Sequence, residues 1–462
     1  MFIGRESELN ALNRLYNSNK FEFTVIYGRR RVGKTALISE FIKDKEAIFF
    51  TGVETNAKQN LENFSRCIME YTTGKPADTT FSSFQSALEH VFELAKSKRL
   101  LLVIDEYPYV ARSSKSLAST LQSLIDKYKD DSKLFLILCG SSMSYMEDHV
   151  LAYKAPLYGR RTAQFKIKPF DFFEVCSYLN EMTDVDKAIA YGITGGTPQY
   201  LLQIDENISI EENIKNTHLN PYSSIFEEPS NLLKQEVREP AIYNAIITAI
   251  ATGSSRMNEI SSKVGEDTSV CSAYIKNLIL LGIVKKELPY GEKSSRKTIY
   301  SIEDNMFRFW YRFVTKNTSV IVRGASDLAY GRIAPELPDY MGSVFEDICK
   351  QYLWKLLLKG ECPVNFNELG RWWGANSKTK VQEEIDIMGS DKDSALFGEC
   401  KWTNEKVDIS VLETLIERST LFAYRDVHFF LFAKTGFTKG CIDKAAQMSN
   451  VKLITYKDIL NI

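Results

Sequence analysis

Short apolar runs alternate with amphipathic stretches through the first 170 residues or so of the chain. The apolar runs have the composition of β-strands, and the stretches between them repeat apolar residues at helical spacing. The predicted strands are Glu22–Tyr27, Ala47–Val53, Leu100–Asp105, Lys133–Cys139 and Gln164–Lys168. The predicted helices are Lys34–Ile42, Lys58–Tyr71, Phe81–Lys96 and Ser116–Tyr128. This alternation indicates an α/β domain, with a parallel sheet covered by helices on both faces.

The turn between the first strand and the helix after it carries a phosphate-loop pattern, G-x-x-x-x-G-K-[ST]. Its glycines let backbone N–H groups point at phosphate oxygens at a helix N-terminus. Lys34 would reach the β- and γ-phosphates, and the hydroxyl of Thr35 would ligate Mg²⁺. The alternative is a strand-to-helix turn that binds nothing. We predict ATP and Mg²⁺ as cofactors, with a nucleotide-binding loop made of Gly28, Arg29, Arg30, Arg31, Val32, Gly33, Lys34 and Thr35.

Two later strands end in polar residues that would lie beside this loop. Asp105 and Glu106 follow the apolar run Leu100–Ile104, which places them at the carboxyl end of a buried strand. Asp105 would hold Mg²⁺ together with Thr35, and Glu106 would polarise the water that attacks the γ-phosphate. Ser141, after the next strand, would sense the γ-phosphate, unless it belongs to an ordinary Gly-Ser turn.

A basic turn, Gly159-Arg160-Arg161, precedes the fifth predicted strand. Arginine stabilises transferring phosphoryl groups in such enzymes, from its own subunit or from a neighbouring one. We predict that Arg160 is catalytic, which would require a homo-oligomer if it acts across a subunit boundary. The alternative is a solvated basic turn.

The character of the chain changes after about residue 231. Helical patterns at 241–250, 257–264 and 269–281 precede two β-type runs at 283–288 and 298–302, which predicts an α+β winged helix-turn-helix. The third helix exposes no arginine, so base readout looks poor. The basic residues gather in the hairpin, where phosphate contacts to DNA or a structural lid role are the alternatives: Lys285, Lys286, Lys293, Arg296 and Lys297. The aromatic-rich helix 306–313 that follows is expected to pack between domains.

A second group of chemically active residues lies after Tyr340. Two alternating strands, 383–388 and 395–402, lie on either side of four loop-like residues, 391–394. If these four residues form the hairpin turn, Asp386 lies directly opposite Glu399. Alternation places Lys401 on the same face as Glu399, and Glu346 would approach from the preceding helix. Two carboxylates that face one another repel, unless a bound divalent metal neutralises their charge. We predict Asp386 and Glu399 as metal ligands, and Glu346, Asp386, Glu399 and Lys401 as a catalytic centre for phosphodiester hydrolysis.

Two resemblances follow from these motifs. The segments Phe2–Glu6, Gly28–Thr35, Asp105-Glu106, Cys139–Ser142, Leu157–Arg161 and Gly196–Pro198 occur in the order found in the archaeal-type P-loop ATPases, which are similar to AAA+ and signal-transduction ATPases. The series Glu346…Asp386…Glu399-x-Lys401, with the helices and strands predicted after it, resembles the PD-(D/E)xK restriction-endonuclease-like superfamily. The proline that commonly precedes the aspartate is replaced by Ile385. The resemblance to the archaeal-type ATPases implies that a nuclease-like domain of this kind follows the winged helix.

Composition and charge limit the class of protein and its expected cellular location. With 44% hydrophobic and 25% charged residues and a formal net charge of −1, the chain is ordinary globular protein, and DNA binding would need a local basic patch. The eight cysteines are scattered, which favours free thiols in a reducing compartment. The sequence has no signal-peptide core and no apolar run long enough to span a membrane. We therefore expect a cytoplasmic protein.

The predicted fold class is α/β, with a P-loop ATPase sheet, then an α+β winged helix, then an α/β restriction-endonuclease-like domain. The predicted boundaries are 1–205 for the ATPase domain, 206–239 for a helical lid, 240–315 for the winged helix, 316–340 for a linker and 341–462 for the nuclease-like domain. The expected function is ATP hydrolysis that controls a Mg²⁺-dependent nuclease acting on DNA. The alternative is an ATP-dependent switch whose inactive nuclease-like domain binds a partner protein or nucleic acid.

Overall fold

The computed structural model describes residues 2–75, 79–293, 296–376 and 380–462. The chain divides into two compact units. The first contains residues up to Phe170 and the tripeptide Thr197–Gln199, and the second contains Asp171–Gly196 and Tyr200–Ile462. The finer division of the second unit into lid, winged helix and nuclease-like domain stays a prediction.

The first unit is built on a parallel sheet of five strands. They are β1 (Glu22–Tyr27), β2 (Ala47–Thr51), β3 (Leu100–Asp105), β4 (Leu134–Gly140) and β5 (Ala163–Lys166). Their order across the sheet is β2-β3-β4-β1-β5, and every neighbouring pair is parallel. The predicted parallel α/β sheet is confirmed, and the bounds of the five strands differ from the predicted ones by no more than two residues at either end.

Helices cover this sheet. They are α1 (Glu6–Asn17), α2 (Lys34–Ile42), α3 (Ala57–Thr73), α4 (Phe84–Ser97), α5 (Tyr107–Ser113), α6 (Leu117–Tyr128) and α7 (Met143–Tyr145), which continues into a π-helical turn at Met146–Leu151. Every residue of β1, β3 and β4 is buried, which explains their nearly continuous apolar sequences. One core cluster joins Ile26, Val103 and Ile137 of these strands to Leu37 and Phe41 of α2. This packing fixes α2, and with it the phosphate loop, against the carboxyl edge of the sheet.

The second unit begins with helices. They are α8 (Phe172–Tyr178), α9 (Asp184–Thr194), α10 (Pro198–Leu201, whose first residues belong to the first unit), α11 (Ile210–Thr217), α12 (Glu228–Glu236), α13 (Pro240–Ala251), α14 (Met257–Val264) and α15 (Thr268–Leu280). An antiparallel hairpin of β6 (Val284–Glu287) and β7 (Ile299–Ile302) follows. The three helices and the hairpin predicted for a winged helix therefore lie where the sequence pattern places them.

The aromatic-rich segment after the hairpin is not one regular helix. α16 (Asn305–Phe309) passes into a π-helical turn at Trp310–Val314 and then into α17 (Thr315–Ile321). Alternate aromatic residues are buried in this unit, among them Phe307, Phe309, Tyr311 and Phe313. Packing rather than base stacking is thus the use the structure makes of them. Next come α18 (Ser326–Ile333), a 3-10 turn at Ala334–Glu336 and α19 (Leu337–Leu358).

A mixed five-stranded sheet completes the second unit. Its strands are β8 (Gly370–Ala375), β9 (Gln382–Ser390), β10 (Ser394–Lys401), β11 (Asp426–Ala433) and β12 (Val451–Thr455), and the helices among and after them are α20 (Ile409–Ser419), α21 (Lys439–Ala446) and α22 (Tyr456–Leu460). The order is β12-β11-β10-β9-β8, with β10, β11 and β12 parallel and β8 and β9 antiparallel to their neighbours. Strand β8 was not predicted. In the described part of the chain, no helix is long and apolar enough to cross a membrane.

The register of the β9–β10 hairpin agrees with the predicted one. Ile387 pairs with Gly398, and Ser390 pairs with Ala395. The same register continued by one residue sets Asp386 opposite Glu399. Strand β10 begins at Ser394, so the turn is one residue shorter than predicted. Helix α19 begins at Leu337, nine residues before Glu346, so this carboxylate projects from the interior of the helix.

Candidate functional site

The phosphate loop joins β1 to α2 in a conformation that depends on its glycines. Gly33, the N-cap of α2, has a φ of 89°, which is in the left-handed region that glycine adopts without strain. A Cβ atom at Gly28 would lie 2.4 Å from the carbonyl oxygen of Ile167. A side chain at Gly28 would therefore push the loop away from the residue that follows β5.

Lys34 is placed inside the loop. Its Nζ donates hydrogen bonds of 2.9 Å to the carbonyl oxygens of Gly28 and Arg29, and the side chain is 7% exposed. A buried ammonium in a ring of backbone groups forms a preorganised cationic site. Such a loop binds the negatively charged oxygens of a polyphosphate.

Thr35 and Asp105 meet at the start of α2 and the end of β3. The hydroxyl of Thr35 donates to Oδ2 of Asp105 at 3.0 Å. A hydroxyl and a carboxylate are hard oxygen donors of the kind that Mg²⁺ prefers. The two predicted Mg²⁺ ligands are thus brought together, and their chemistry fits that ion.

Glu106 follows Asp105 in an unusual backbone conformation. Its φ and ψ are 49° and 41°, a left-handed conformation that costs energy in a residue other than glycine. The hydroxyl of Ser141 lies 2.8 Å from each carboxylate oxygen of Glu106. The predicted catalytic carboxylate and the predicted sensor serine are therefore direct partners, which the sequence did not indicate.

The tripeptide Thr197–Gln199 returns to the phosphate loop. Nη2 of Arg29 donates to Oγ1 of Thr197 at 3.3 Å, and the N–H of Gln199 lies 3.4 Å from the carbonyl oxygen of Arg31. Arg30 donates to the hydroxyl of Tyr109 at 2.8 Å. The sequence predicted the loop arginines as part of the site but gave no signal for these partners.

Arg160 lies in an ion pair that the sequence analysis did not anticipate. Its Nε and Nη2 donate to the two carboxylate oxygens of Asp126 at 2.9 and 2.7 Å, and Nη1 donates to the carbonyl of Pro156. Asp126 belongs to α6. Within its own subunit the guanidinium is thus held by a carboxylate, so the catalytic role of Arg160 stays a prediction.

Replacing Lys34 by alanine should weaken ATP binding at least about tenfold, which corresponds to about 1.4 kcal/mol. The reason is that the change removes the buried ammonium from the loop, where it would contact the β- and γ-phosphates. Calorimetric titration with ATP measures the effect. Lys43→Ala, at the exposed C-terminal end of the same helix, is the matched control. Equal affinities of the two variants would contradict the assignment of the loop.

If Arg160 acts on a neighbouring subunit, mixing Lys34→Ala chains with Arg160→Ala chains should restore part of the ATP turnover that each variant lacks alone. Mixed interfaces then contain one intact loop and one intact arginine. Lys34→Ala chains mixed with the Lys34→Ala/Arg160→Ala double variant are the control and should stay inactive. A wild-type protein that is fully active as a monomer would refute the role in trans.

A second group of charged residues lies in the mixed sheet and on α19. Nζ of Lys401 donates to Oε1 of Glu399 at 2.6 Å, and the N–H of Cys400 donates to Oδ2 of Asp386 at 2.9 Å. Asp386 also raises the pKa values of both Glu346 and Glu399, as expected for carboxylates that face one another. We call Glu346, Asp386, Glu399 and Lys401 the carboxylate centre. Lys401 thus contacts Glu399, and Asp386 lies close enough to Glu346 and Glu399 to affect their pKa values, while the catalytic roles of the four residues stay a prediction.

Burial and mutual repulsion govern the charges of this centre. Burial, and then Asp386, raise the pKa of Glu346 to about 7, against the opposing effect of Arg371. Burial and Asp386 likewise raise the pKa of Glu399, against Lys401 and Arg418. Burial lowers the pKa of Lys401, but Glu399 outweighs it and the net direction is upward. Lys401 is therefore an ammonium at neutral pH, which suits it to donate hydrogen bonds rather than to accept a proton.

Two arginines that the sequence analysis missed border the centre. Nε of Arg371, on β8, lies 3.7 Å from Oε2 of Glu346, and the same guanidinium pairs with Glu384. Arg418, on α20, lies 2.8 Å from Glu383 and 3.8 Å from Glu399. Neither residue belongs to a sequence motif that we could have used, because their partners are distant in the chain.

Asp347, next to Glu346, connects the centre to the hairpin of β6 and β7. Its carboxylate lies 3.6 Å from Nζ of Lys285 and 3.5 Å from Nη2 of Arg308. Burial alone would raise the pKa of Asp347, but Lys285 and Arg308 outweigh it and lower the value to about 2. Lys285, for which the sequence left phosphate contact and a structural role open, pairs with Asp347 inside this unit, while Lys286 is exposed.

Asp347→Asn should lower the free energy of unfolding by about 3 kcal/mol, because it leaves two largely buried cations without their shared carboxylate. Asp327→Asn is the control, since that carboxylate is 88% exposed in its pair with Lys215 and should cost less than about 1 kcal/mol. Denaturant unfolding measures both. Because the pKa of Asp347 lies below its ordinary value, its contribution is present above about pH 4 and is lost as the pH falls towards 2. A difference between the variants that persists at pH 2 would contradict this origin.

Among the residues that the structure describes, no three His, Cys, Asp or Glu side chains are grouped so that they could together hold a metal ion. The predicted pair Asp386 and Glu399 supplies two carboxylates, and any further ligands would be water or substrate oxygens. Two carboxylates that face one another are the donor set that a hard divalent cation suits. The assignment of metal to this pair stays a prediction.

The parallel sheet, the phosphate loop and the Asp105–Glu106 pair define an ATPase domain of the P-loop class. Residues 2–204 match a family described as an ATPase domain predominantly from Archaea, and residues 310–412 match one described as archaeal and bacterial proteins of unknown function. The Walker-type ATPase PABY2304 of Pyrococcus abyssi has a similar fold, with a TM-score of 0.52 and 19% identity, over 67% of this chain and 96% of that one.

The chain belongs to the same protein family as the uncharacterized protein MJECL04 of Methanocaldococcus jannaschii. The two are 34% identical over 411 residues, which is 88% of each chain. A shorter relative from the same organism, the uncharacterized ATP-binding protein MJ0423, is 50% identical over 46 residues, which is 10% of this chain and 78% of that one. The family therefore extends over both compact units.

Proposed function

We propose that this chain hydrolyses ATP and that its nucleotide state controls a Mg²⁺-dependent nuclease centre that acts on DNA. The observation that carries the nuclease part is the convergence of Glu346, Asp386, Glu399 and Lys401 from one helix and two paired strands. Rigid elements hold these groups, which is a requirement for hydrolytic chemistry on a phosphodiester.

In the ATPase unit, each predicted residue has a distinct task. Lys34 and the backbone of the phosphate loop bind the β- and γ-phosphates, and Thr35 and Asp105 would hold Mg²⁺, which supplies positive charge to the phosphates. Glu106 accepts the proton of the attacking water. Ser141 holds the carboxylate of Glu106 through its hydroxyl and so sets its orientation.

In the carboxylate centre, Asp386 and Glu399 would hold the metal, which supplies Lewis-acid charge at the scissile phosphate. Lys401, an ammonium beside Glu399, orients the attacking water or binds a phosphate oxygen. Glu346 has a pKa of about 7, so it can accept or release a proton near neutral pH. The four residues together would thus bind the metal, orient the attacking water and transfer a proton.

DNA is the substrate class that the PD-(D/E)xK resemblance suggests. The hairpin residues Lys286, Lys293 and Arg296 are exposed and can meet backbone phosphates. Helix α15, the third helix of the predicted winged helix, contains no arginine and is preceded by Glu266 and Asp267, which argues against base readout. We therefore propose binding through the DNA backbone, which weakens steeply with salt.

The test is incubation of the wild-type chain with plasmid and with single-stranded DNA, in Mg²⁺ or Mn²⁺, with and without ATP. Cleavage that depends on the metal and changes with ATP supports the proposal. Lys34→Ala separates the two activities, since it should abolish the ATP effect and leave the metal dependence. No cleavage under any of these conditions would refute the nuclease part.

A second function is favoured by the ion pairs of the centre. Glu346 already pairs with Arg371, and Glu399 pairs with Lys401 and Arg418. Such neutralised carboxylates also suit an ATP-dependent switch whose C-terminal domain binds a partner protein or nucleic acid without cutting. DNA binding that survives Asp386→Ala, in a wild-type protein that cleaves nothing, would establish this alternative.

A further inference from the structure

The N-terminal segment Phe2–Glu6 places a buried cation against the phosphate loop. Arg5 directly precedes α1, and its side chain is 7% exposed. Its Nη2 donates a hydrogen bond of 3.2 Å to the carbonyl oxygen of Val32, inside the loop, and another to the carbonyl oxygen of Lys168, just after β5. One guanidinium therefore joins the phosphate loop to the segment that follows the edge strand of the sheet.

Several contacts hold this guanidinium in place. Nη1 of Arg5 lies 3.5 Å from Oε1 of Glu8, and the guanidinium carbon lies 5.0 Å from the ring centre of Phe170. The backbone of Arg5 has a φ of 68°, a left-handed conformation that costs energy in a residue other than glycine. Strain of this kind persists only where the surrounding contacts outweigh it, so the position of Arg5 is strongly determined.

The contact with Val32 fixes the direction of a backbone N–H group. The carbonyl of Val32 and the N–H of Gly33 belong to the same peptide unit, which is planar and trans, so these two bonds point in opposite directions. A donor that holds the carbonyl on one side thus holds the N–H on the other side. Backbone N–H groups of such a loop are the groups that bind phosphate oxygens. A hydrogen bond to the carbonyl also polarises the peptide and makes its N–H a stronger donor.

The preceding peptide of the loop is held in the same way. The N–H of Gln199 lies 3.4 Å from the carbonyl oxygen of Arg31, which belongs to the peptide that carries the N–H of Val32. Two successive peptides therefore have their carbonyls bound by segments from outside the loop. The hold matters most at Gly33, whose φ of 89° is reached without strain and which could equally adopt other conformations.

We propose that Arg5 is a positioning residue for phosphate binding: its guanidinium holds the Val32–Gly33 peptide so that the N–H of Gly33 is directed at the bound triphosphate. This inference rests on the proposed function, since it assigns a further residue to the same ATP site. In this role Arg5 acts through the loop backbone and contacts neither the phosphates nor the base. Its effect is thus confined to the phosphate part of the nucleotide.

The test compares ATP with inorganic tripolyphosphate, which has the phosphates but no base. Affinities of the full chain are measured by calorimetry for ATP and by competition with a fluorescent ATP analogue for tripolyphosphate. Arg5→Gln removes the cation, and Arg5→Lys keeps a cation and its N–H donors. Arg14→Gln, an exposed change on the same helix α1, is the matched control. Denaturant unfolding checks that each variant is folded.

We expect Arg5→Gln to weaken binding of ATP and of tripolyphosphate by the same factor, roughly tenfold, which is the effect of losing one charged hydrogen bond. The KM for ATP should rise to match while kcat stays within about threefold, because the Gly33 N–H serves the ground state and the transition state alike. Arg5→Lys should lose only about threefold for both ligands, since its ammonium keeps the charge but not the planar fork. Arg14→Gln should bind both ligands as the wild type does.

Equal affinities of wild type and Arg5→Gln would overturn the positioning role alone. A loss for ATP without a loss for tripolyphosphate, or a wild type that binds ATP but not tripolyphosphate, would overturn it as well, because the effect would then involve the base. If Arg5→Gln is unfolded, Arg5→Lys decides: equal losses for the two ligands support the role, and wild-type affinities contradict it. A wild type that binds neither ligand refutes the proposed ATP site together with this inference.

Discussion

Glu106→Gln should reduce the ATP turnover number by a factor on the order of 10² or more while ATP affinity stays within about twofold. The amide has the same shape and keeps a hydrogen-bond partner for Ser141, so the loop and its cations are unchanged. It cannot accept the proton of the attacking water. Loss of rate without loss of binding is the signature of a group that acts in the transition state.

Steady-state phosphate release gives the turnover number, and calorimetry gives the affinity. Glu54→Gln, an exposed change in the same unit, should leave both at the wild-type values. Turnover by Glu106→Gln at the wild-type rate would assign the proton transfer to another group. A parallel loss of affinity would instead show that the left-handed backbone at Glu106 needs the carboxylate to hold its shape.

Asp386→Ala and Glu399→Ala should each abolish both Mn²⁺ binding and DNA cleavage, and the double variant should be no worse than either alone. Ligands of one metal act as a unit, so their effects do not add. Lys401→Ala should keep the metal and slow cleavage, by a factor on the order of 10². An ammonium cannot be a ligand, but it can orient water or bind a phosphate oxygen.

Calorimetry with Mn²⁺ and a cleavage assay on the same samples separate these effects. Asp443→Ala, an exposed change on α21, is the matched control. If the charges of this hairpin serve stability alone, each of the three single variants should have a lower free energy of unfolding. Lys401→Ala would then not differ from the other two in keeping metal affinity while losing cleavage rate. That outcome would favour the partner-binding alternative.

The first unit was predicted well because its signals are local. An apolar strand, a glycine turn and an amphipathic helix follow each other within a few residues, so the loop Gly28–Thr35 could be placed from spacing alone. The same applies to the β9–β10 hairpin, where a short turn sets the register and with it the position of Asp386 opposite Glu399. Two-residue alternation then places Lys401.

Contacts between distant segments could not be predicted in this way. The sequence could not decide between phosphate contact and a structural role for Lys285, because a basic hairpin in isolation gives no sign that Asp347 lies close to it. Strand β8 has no clear alternation and few flanking signals, so both the strand and Arg371 were missed. Arg160 lies in a recognisable motif, yet its partner Asp126 comes from a helix 34 positions earlier.

The position of the tripeptide Thr197–Gln199 in the chain affects how the ATPase unit folds during synthesis. The segments on both sides of it belong to the second unit, whereas the tripeptide itself meets Arg29 and Arg31 of the phosphate loop. During synthesis the loop leaves the ribosome about 170 residues before its last contact does, at roughly 10 residues per second. The nascent phosphate loop must therefore wait about 17 seconds for these contacts, and a fragment that ends at Phe170 never receives them.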